Sequence, residues 1–334
     1  MRSFVLLSFA FFVLAPAAGC QASAAADAEG EGPDGPSGPG ARPAGLSEAD
    51  ARAVCTTIWR ASCEKVEACA PFSVELSSGD VEGCVAANVD ACMQGYVLSG
   101  VSVTAAEAGA CARALEARPC ESVAAVRECQ FAGKIADGRA CLADAQCASR
   151  LCRLAPKASC GTCVTPGKEG AACADDEPCA EGLRCDGGSK KCVRRGAPGA
   201  PCASDDECEA WAVCGEGKAC VEAGRAAGQP CTSFGGCNER QSLACGSVGD
   251  RCYRLTAMAA PGEACPADEA SNEATGCRAG LCDLRTDTCV GTAGKGEACG
   301  VGQENQSCGG PYRCLETDAG RACGLRPVDE SGCR

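Results

Sequence analysis

Residues 170–193 read GAACADDEPCAEGLRCDGGSKKCV, and residues 199–221 read GAPCASDDECEAWAVCGEGKACV. Each segment opens on Gly-x-x-Cys and closes on Cys-Val. Cys173, Cys179, Cys185 and Cys192 of the first stand in register with Cys202, Cys208, Cys214 and Cys220 of the second. Outward from this pair, Gly-x-x-Cys recurs at Gly138/Cys141, Gly228/Cys231, Gly262/Cys265 and Gly296/Cys299, in steps of 29 to 34 residues. A period of that length marks an array of like structural units. Units one, four, five and six use Cys141, Cys147, Cys152, Cys163; Cys231, Cys237, Cys245, Cys252; Cys265, Cys277, Cys282, Cys289; and Cys299, Cys308, Cys314, Cys323. Cys160 and Cys333 are extras, so residues 138–334 hold six repeats, starting near 138, 170, 199, 228, 262 and 296, and an even count of cysteines.

Within a unit the local fold is a hairpin. Gly182-Leu183-Arg184-Cys185 and Lys191-Cys192-Val193 flank the turn residues Asp186-Gly187-Gly188-Ser189, and Gly215-Glu216-Gly217 is the corresponding turn in unit three. An apolar residue precedes the third cysteine: Leu151, Leu183, Val213, Leu243, Leu281 or Tyr312. Units of about 30 residues cannot bury enough apolar surface to fold without covalent help. A first-to-third and second-to-fourth pattern is one of three pairings that four cysteines allow. Each unit closes on its own cysteines, which predicts independent units whose loss stays local. The extras bear on this, since Cys160 joined to Cys333 would tie unit one to the C-terminus and make the array compact instead of extended.

These units resemble the N-terminal cysteine-rich domain of Dickkopf proteins, and related modules repeated in bacterial surface lipoproteins. The resemblance rests on Gly-x-x-Cys, the apolar residue before the third cysteine, and Cys-Val at Cys163, Cys192, Cys220 and Cys289, and spans residues 138–323. It implies an extracellular binding module and no particular partner. Units five and six depart from it between their first two cysteines.

Residues 47–132 read as helical. Ser47-Glu48-Ala49-Asp50 forms a capping start, and Val54, Cys55, Ile58, Trp59, Ser62, Cys63 and Val66 follow on one face. Asp80 caps a second helix bearing Val81, Cys84, Val85, Val89 and Cys92. Thr104 with Glu107 starts a third that carries Cys111, Ala114 and Leu115 and stops at Pro119; a short fourth is expected to hold Val123, Val126 and Cys129. The eight cysteines here are Cys55, Cys63, Cys69, Cys84, Cys92, Cys111, Cys120 and Cys129, which can close on themselves in any of 105 ways. This region resembles domains that precede such repeats in bacterial lipoproteins of unassigned function. The expected fold class is therefore small disulfide-rich modules: an N-terminal all-α cysteine-rich domain, then an array of loop/β-hairpin disulfide repeats.

At the N-terminus, Met1-Arg2 precedes the apolar run Phe4–Leu14, which suits a signal peptide and is too short to span a bilayer. Ala17-Ala18-Gly19-Cys20 resembles the lipobox of bacterial lipoproteins, which implies a signal peptide over residues 1–19 and a lipid on Cys20. An ordinary signal peptide cleaved after Ala18 or Gly19 is the alternative. Parity bears on the choice: the chain has 35 cysteines, and acylating Cys20 leaves a number that can all pair. Residues 20–46, rich in Gly, Pro and Ala with scattered acids, read as a lipid-anchored flexible tether with a span of roughly 25–30 Å. This disulfide density belongs outside the cytoplasm. The expected place is the bacterial outer membrane or cell surface.

The formal net charge of −13 argues against a nucleic-acid partner. There is no histidine, which excludes Ser-His-Asp and Cys-His catalysis, and no spacing singles out a pair of carboxylates. The chain is read as a non-enzyme with no cofactor. Only Cys160-Gly161-Thr162-Cys163 has Cys-x2-Cys spacing, and structural disulfides outweigh thiolate metal sites in this compartment. Asp144, Asp176, Asp205 and Asp268 each lie three residues after a first cysteine. Calcium wants six to eight oxygens, so turns in which Asp bonds its own backbone are the expected account. Lys190, Lys191, Arg194 and Arg195 read as a solvated hairpin face, Trp59 as core, and Trp211 as exposed. Anchor, tether and array together point to a non-catalytic binding, adhesion or spacer protein whose partner is an extracellular protein or glycan. A protease inhibitor built on disulfide modules is the alternative.

Overall fold

The computed structural model describes residues 44–333 apart from 121–125, 155–157, 159, 175–178, 181, 210–211, 216, 223, 225, 232–236, 239–240, 247–250, 284, 300–307, 318–319, 326, 329 and 331–332. The signal segment, nearly all of the tether, Cys20 and Trp211 lie outside the described residues. Four helices come first: α1 (Glu48–Cys69), α2 (Pro71–Ser78), α3 (Val81–Tyr96) and α4 (Ala105–Ala117). Three start on side-chain caps. Ser47 Oγ accepts from the Asp50 amide, Asp80 Oδ1 from Gly83, and Thr104 forms a reciprocal capping box with Glu107. Cys55–Cys92 and Cys63–Cys84 join α1 to α3. The cysteines on each helix are about two turns apart and therefore share a face, and their reversed order requires antiparallel helices. Cys69–Cys120 and Cys111–Cys129 close the rest. Around them Val54, Ile58, Val74, Val89, Val101 and Leu115 form a buried apolar core.

Two expectations need correction here. No helix was expected over Pro71–Ser78, where α2 forms with Pro71 at its first turn, a position that needs no amide donor. The expected fourth helix over Val123, Val126 and Cys129 is reduced to a single 3-10 turn, Arg127–Cys129. Val126 before it is extended, and residue 123 lies outside the described residues.

The remainder is built from small disulfide-rich modules. In every unit the first cysteine bonds the third and the second bonds the fourth, across 11 to 17 residues. The third and fourth cysteines face each other across a hairpin without bonding each other. Unit one has β1 (Ala140–Cys141), β2 (Cys152–Leu154) and β3 (Gly161–Cys163) in the order β1-β3-β2. Units two and three have β4 (Leu183–Asp186) with β5 (Lys191–Arg194), and β6 (Ala212–Cys214) with β7 (Cys220–Glu222).

The motif glycine has a defined role in this arrangement. Its φ lies between +80° and +91° in all six units, a left-handed conformation that L side chains reach only with strain. The turn it makes lets its amide donate to the carbonyl of the fourth cysteine, as from Gly170 to Cys192 at 2.8 Å and from Gly262 to Cys289 at 2.7 Å. The amide of the fourth cysteine returns a bond to the residue after the glycine, as from Cys192 to Ala171 at 2.9 Å. Gly-x-x-Cys is thus a third strand laid against the hairpin.

The units are not independent. The residue three before the motif glycine pairs in parallel with the second cysteine, as in Ile135↔Cys147, Gly167↔Cys179, Gly196↔Cys208 and Ala293↔Cys308. The chain leaving one hairpin is therefore built into the next unit at once. Units four and five go further. β8 (Leu243–Gly246), the long β9 (Arg251–Ala259), β10 (Ala267–Asp268) and β11 (Glu273–Cys277) form one sheet in the order β10-β11-β9-β8. The long gap between Cys265 and Cys277 supplies β10 and β11, which accounts for the irregular spacing of unit five. β12 (Gly280–Asp283) with β13 (Thr288–Gly291), and β14 (Arg313–Thr317) with β15 (Gly320–Gly324), complete units five and six.

Two outcomes are expected. Gly170→Ala meets no atom within 4 Å, so its cost is purely conformational, about 1–2 kcal/mol. Faster amide exchange at residue 170 measures it. Replacing Cys173 and Cys185 together by serine should open residues 170–209 to limited proteolysis, because units two and three share the Gly196 pairing. Digestion stopping at residue 195 would restore independent units.

Candidate interaction surfaces

The described residues contain seventeen disulfides that together use every cysteine after Cys20, including Cys160–Cys333 across 173 residues. The Cys-x2-Cys pair is split between two bridges, Cys160 bonding Cys333 and Cys163 bonding Cys147. Groups such as Cys202, Cys208 and Cys220 bring three sulfurs within 4.8 Å of one another, as metal ligands would. They do so because the two bridges of a unit are stacked side by side. So many bridges mark an exported or extracellular protein. No helix of the described residues is long and apolar enough to cross a membrane.

The acidic loops are turned inward to the backbone. Asp144 Oδ1 accepts from the amide of Cys152 and Asp205 Oδ1 from that of Cys214, both at 2.7 Å. Each aspartate thus holds the third cysteine of its own unit. Two residues on, Gln146 Oε1 accepts from Leu142 at 2.6 Å and Ala143 at 3.0 Å, and Glu207 Oε2 accepts from Ala203 at 2.9 Å. Single 3-10 turns, Asp144–Gln146 and Asp205–Glu207, set these side chains. Asp268 serves its own loop through Ala270 and Ser271. Asp176 lies outside the described residues. Burial raises the Asp144 carboxyl above its ordinary value against the Cys152 bond, whereas the Ala270 amide and Ser271 hold Asp268 below it.

The basic group of unit two is dispersed. Arg194 pairs with Glu169 at 3.0 Å, while Arg195 donates to the carbonyls of Asp206 and Cys208 in unit three. Arg184 reaches Glu207 at 3.7 Å across the same junction. Trp59 is half-buried against the helical core. Val97, Leu154, Val221 and Val328 are the large apolar side chains left exposed among the described residues.

Three contacts carry no local sequence signal. Arg278 of unit five pairs with Glu75 of α2 at 2.8 Å, and the Ala279 amide donates to the Glu75 carbonyl. In unit six, Lys295 and Tyr312 both reach Asp90 of α3, at 2.7 and 3.2 Å. Burial, with Asp90 alongside, pushes the Tyr312 hydroxyl up to about 12. Glu330 meets Ser99 and Gln146. Units one, five and six therefore all rest on the helical region, and the array returns to where it began. No protein-family model matches this chain, and neither a curated protein nor a solved structure is significantly similar to it.

The raised Asp144 carboxyl makes a signed prediction. Its folded value exceeds the unfolded one, so the cost of ionising it builds as pH rises from the unfolded to the folded value, is complete above the folded value, and is gone below the unfolded one. Asp144→Asn keeps an acceptor for Cys152 without the charge. It should equal or exceed the wild type in thermal stability at neutral pH, with the advantage vanishing in acid. Asp144→Ala leaves that buried amide unpaired and should cost about 1–3 kcal/mol.

Proposed function

We propose that the chain is a non-catalytic exported lipoprotein, held to the bacterial outer membrane or cell surface by a lipid on Cys20, whose repeats act as a multivalent binding, adhesion or spacer module. In this reading residues 47–132 form an all-α eight-cysteine domain that serves as the base. The repeats, which resemble Dickkopf N-terminal cysteine-rich domains, are extracellular binding modules that meet a protein or glycan.

The observation that carries the reading is the repetition of one bridged hairpin six times in a chain that folds back on its helical base. Weak sites on one such body gain from effective concentration. The acidic and basic residues of the loops support it as well, since they serve backbone amides, neighbouring carbonyls and ion pairs.

Two measurements test this. Cys20→Ala should move the protein from the membrane to the soluble fraction, and lipid labelling of the wild type should fail in the variant; a wild type that fractionates as soluble refutes the anchor. Purified mature protein should be retained on cells or on a glycan array and should leave a panel of proteases active. Stoichiometric inhibition of a protease would replace this reading with that of an inhibitor.

A further inference from the structure

The C-terminal tail ends in a polar site that the repeat pattern does not require. Gln146 is completely buried, yet its Nε2 is aimed at another chain segment, donating to Glu330 Oε1 at 2.9 Å and to the Ser99 carbonyl at 2.8 Å. The same Glu330 oxygen accepts from the Ser99 amide at 3.0 Å and from Ser99 Oγ at 2.9 Å. Three donors from two separate regions thus converge on one carboxylate oxygen, and hydrogen bonds to an ionised acceptor are stronger than those to a neutral amide oxygen. The donors are preorganised. Gln146 is oriented by the Leu142 and Ala143 amides on its other end, and Ser99 sits in the turn after α3, where the neighbouring Gly100 carbonyl accepts from Lys134. Three residues beyond Glu330, Cys333 is buried and bonded to Cys160 of unit one.

We propose that Ser99 and Gln146 form a carboxylate receptor at the seam between the helical region and unit one, that the chain's own tail fills it through Glu330, and that the Cys160–Cys333 bridge locks this ligand in place. The ligand class is a peptide carboxylate side chain. The lock works by concentration: a ligand bonded three residues away competes at an effective concentration in about the millimolar range, which no free peptide matches. Such a site closes the circle of units without demanding large apolar burial. It is the one bridge that joins the array's two ends, so its loss should free the tail while each unit keeps both of its own bridges.

The test uses the full mature chain. A chain carrying Glu330→Ala, Cys160→Ser and Cys333→Ser has an emptied, unlocked receptor. The probe is a synthetic peptide with the sequence of residues 325–334 and Cys333→Ser. Saturable binding of this peptide, at least ten-fold weaker when the peptide carries Glu330→Gln, is the expected result. Absence of binding, or equal binding of both peptides, overturns the receptor. Alkylation without reductant checks that the sixteen other bridges have formed. Should that chain fail to fold, Glu330→Ala alone, with the lock intact, decides the matter by amide exchange. The Ser99 amide should exchange at least ten-fold faster while the Lys134 amide is unchanged; unchanged protection at Ser99 overturns the proposal.

Discussion

Each unit depends on two stacked disulfides standing where a hydrophobic core would stand. The buried cluster of unit three is Cys202, Cys208, Ala212 and Cys220, with Cys214 against it; that of unit five is Cys265, Cys277, Cys289 and Ala259, with Cys282. In these two units sulfur supplies nearly all of the interior, whereas unit four also buries Leu243 and Tyr253. Bridges over loops of 11 to 17 residues each remove about 3 kcal/mol of chain entropy from the unfolded state in the loop-entropy account. That suffices for a unit of this length only if the backbone brings all four cysteines together. The left-handed glycine and its bond to the fourth cysteine do so on one side in all six units. In units one and three an aspartate that holds the third cysteine does so on the other.

The helical region works differently, and the contrast explains the architecture. Its four bridges lie among a real apolar core of valines, Ile58 and Leu115, so it offers a stable body on which thin units can rest. The contacts made there include Glu75 with Arg278, Asp90 with Lys295 and Tyr312, and Ser99 with Glu330, beside apolar packing of Leu142, Ala143 and Ala145 of unit one on the helical core and of Ala87 on unit six. Half-exposed ion pairs of this kind contribute modestly to stability. The ion pairs specify position more than they stabilise, since Glu75 meets only unit five and Asp90 only unit six. Units two to four are linked to their neighbours through backbone pairing and, at Gly196, through a shared bridge of strands.

Repetition made the units legible in the sequence. Six glycines and four cysteines in register need a common backbone, and the hairpin around Gly187-Gly188 follows from local turn chemistry. The helices starting at Ser47, Asp80 and Thr104 were legible for the same reason, since a cap acts on amides within its own first turn. What failed was short or non-local. α2 is eight residues long and begins on a proline directly after α1 ends, so neither its period nor a side-chain cap announces it. Val126 has an apolar spacing that suits a helix but lies in extended backbone, held near Cys129 and its bridge to α4. The aspartates were legible as backbone acceptors, but not their partners, which are eight and nine residues away instead of within the same turn. Glu75, Asp90, Gln146 and Glu330 could not be singled out at all, because nothing local in the sequence distinguishes them from other polar residues.

The entry of the chain and its exit meet at one place. The Leu46 amide donates to the Tyr96 carbonyl, and Gly45 lies so close to Leu98 that a Cβ there would come within 2.3 Å of its carbonyl oxygen. Ser99, next in the chain, takes Glu330. The segment leading back toward the tether and the tail therefore flank the same turn after α3, and glycine at position 45 is demanded by that close approach. Residues 45 and 46 thus lie beside the site that the tail occupies. Units three to five are the part of the array with the longest chain path from the Cys160–Cys333 bridge, so the bridge constrains units one, two and six most directly.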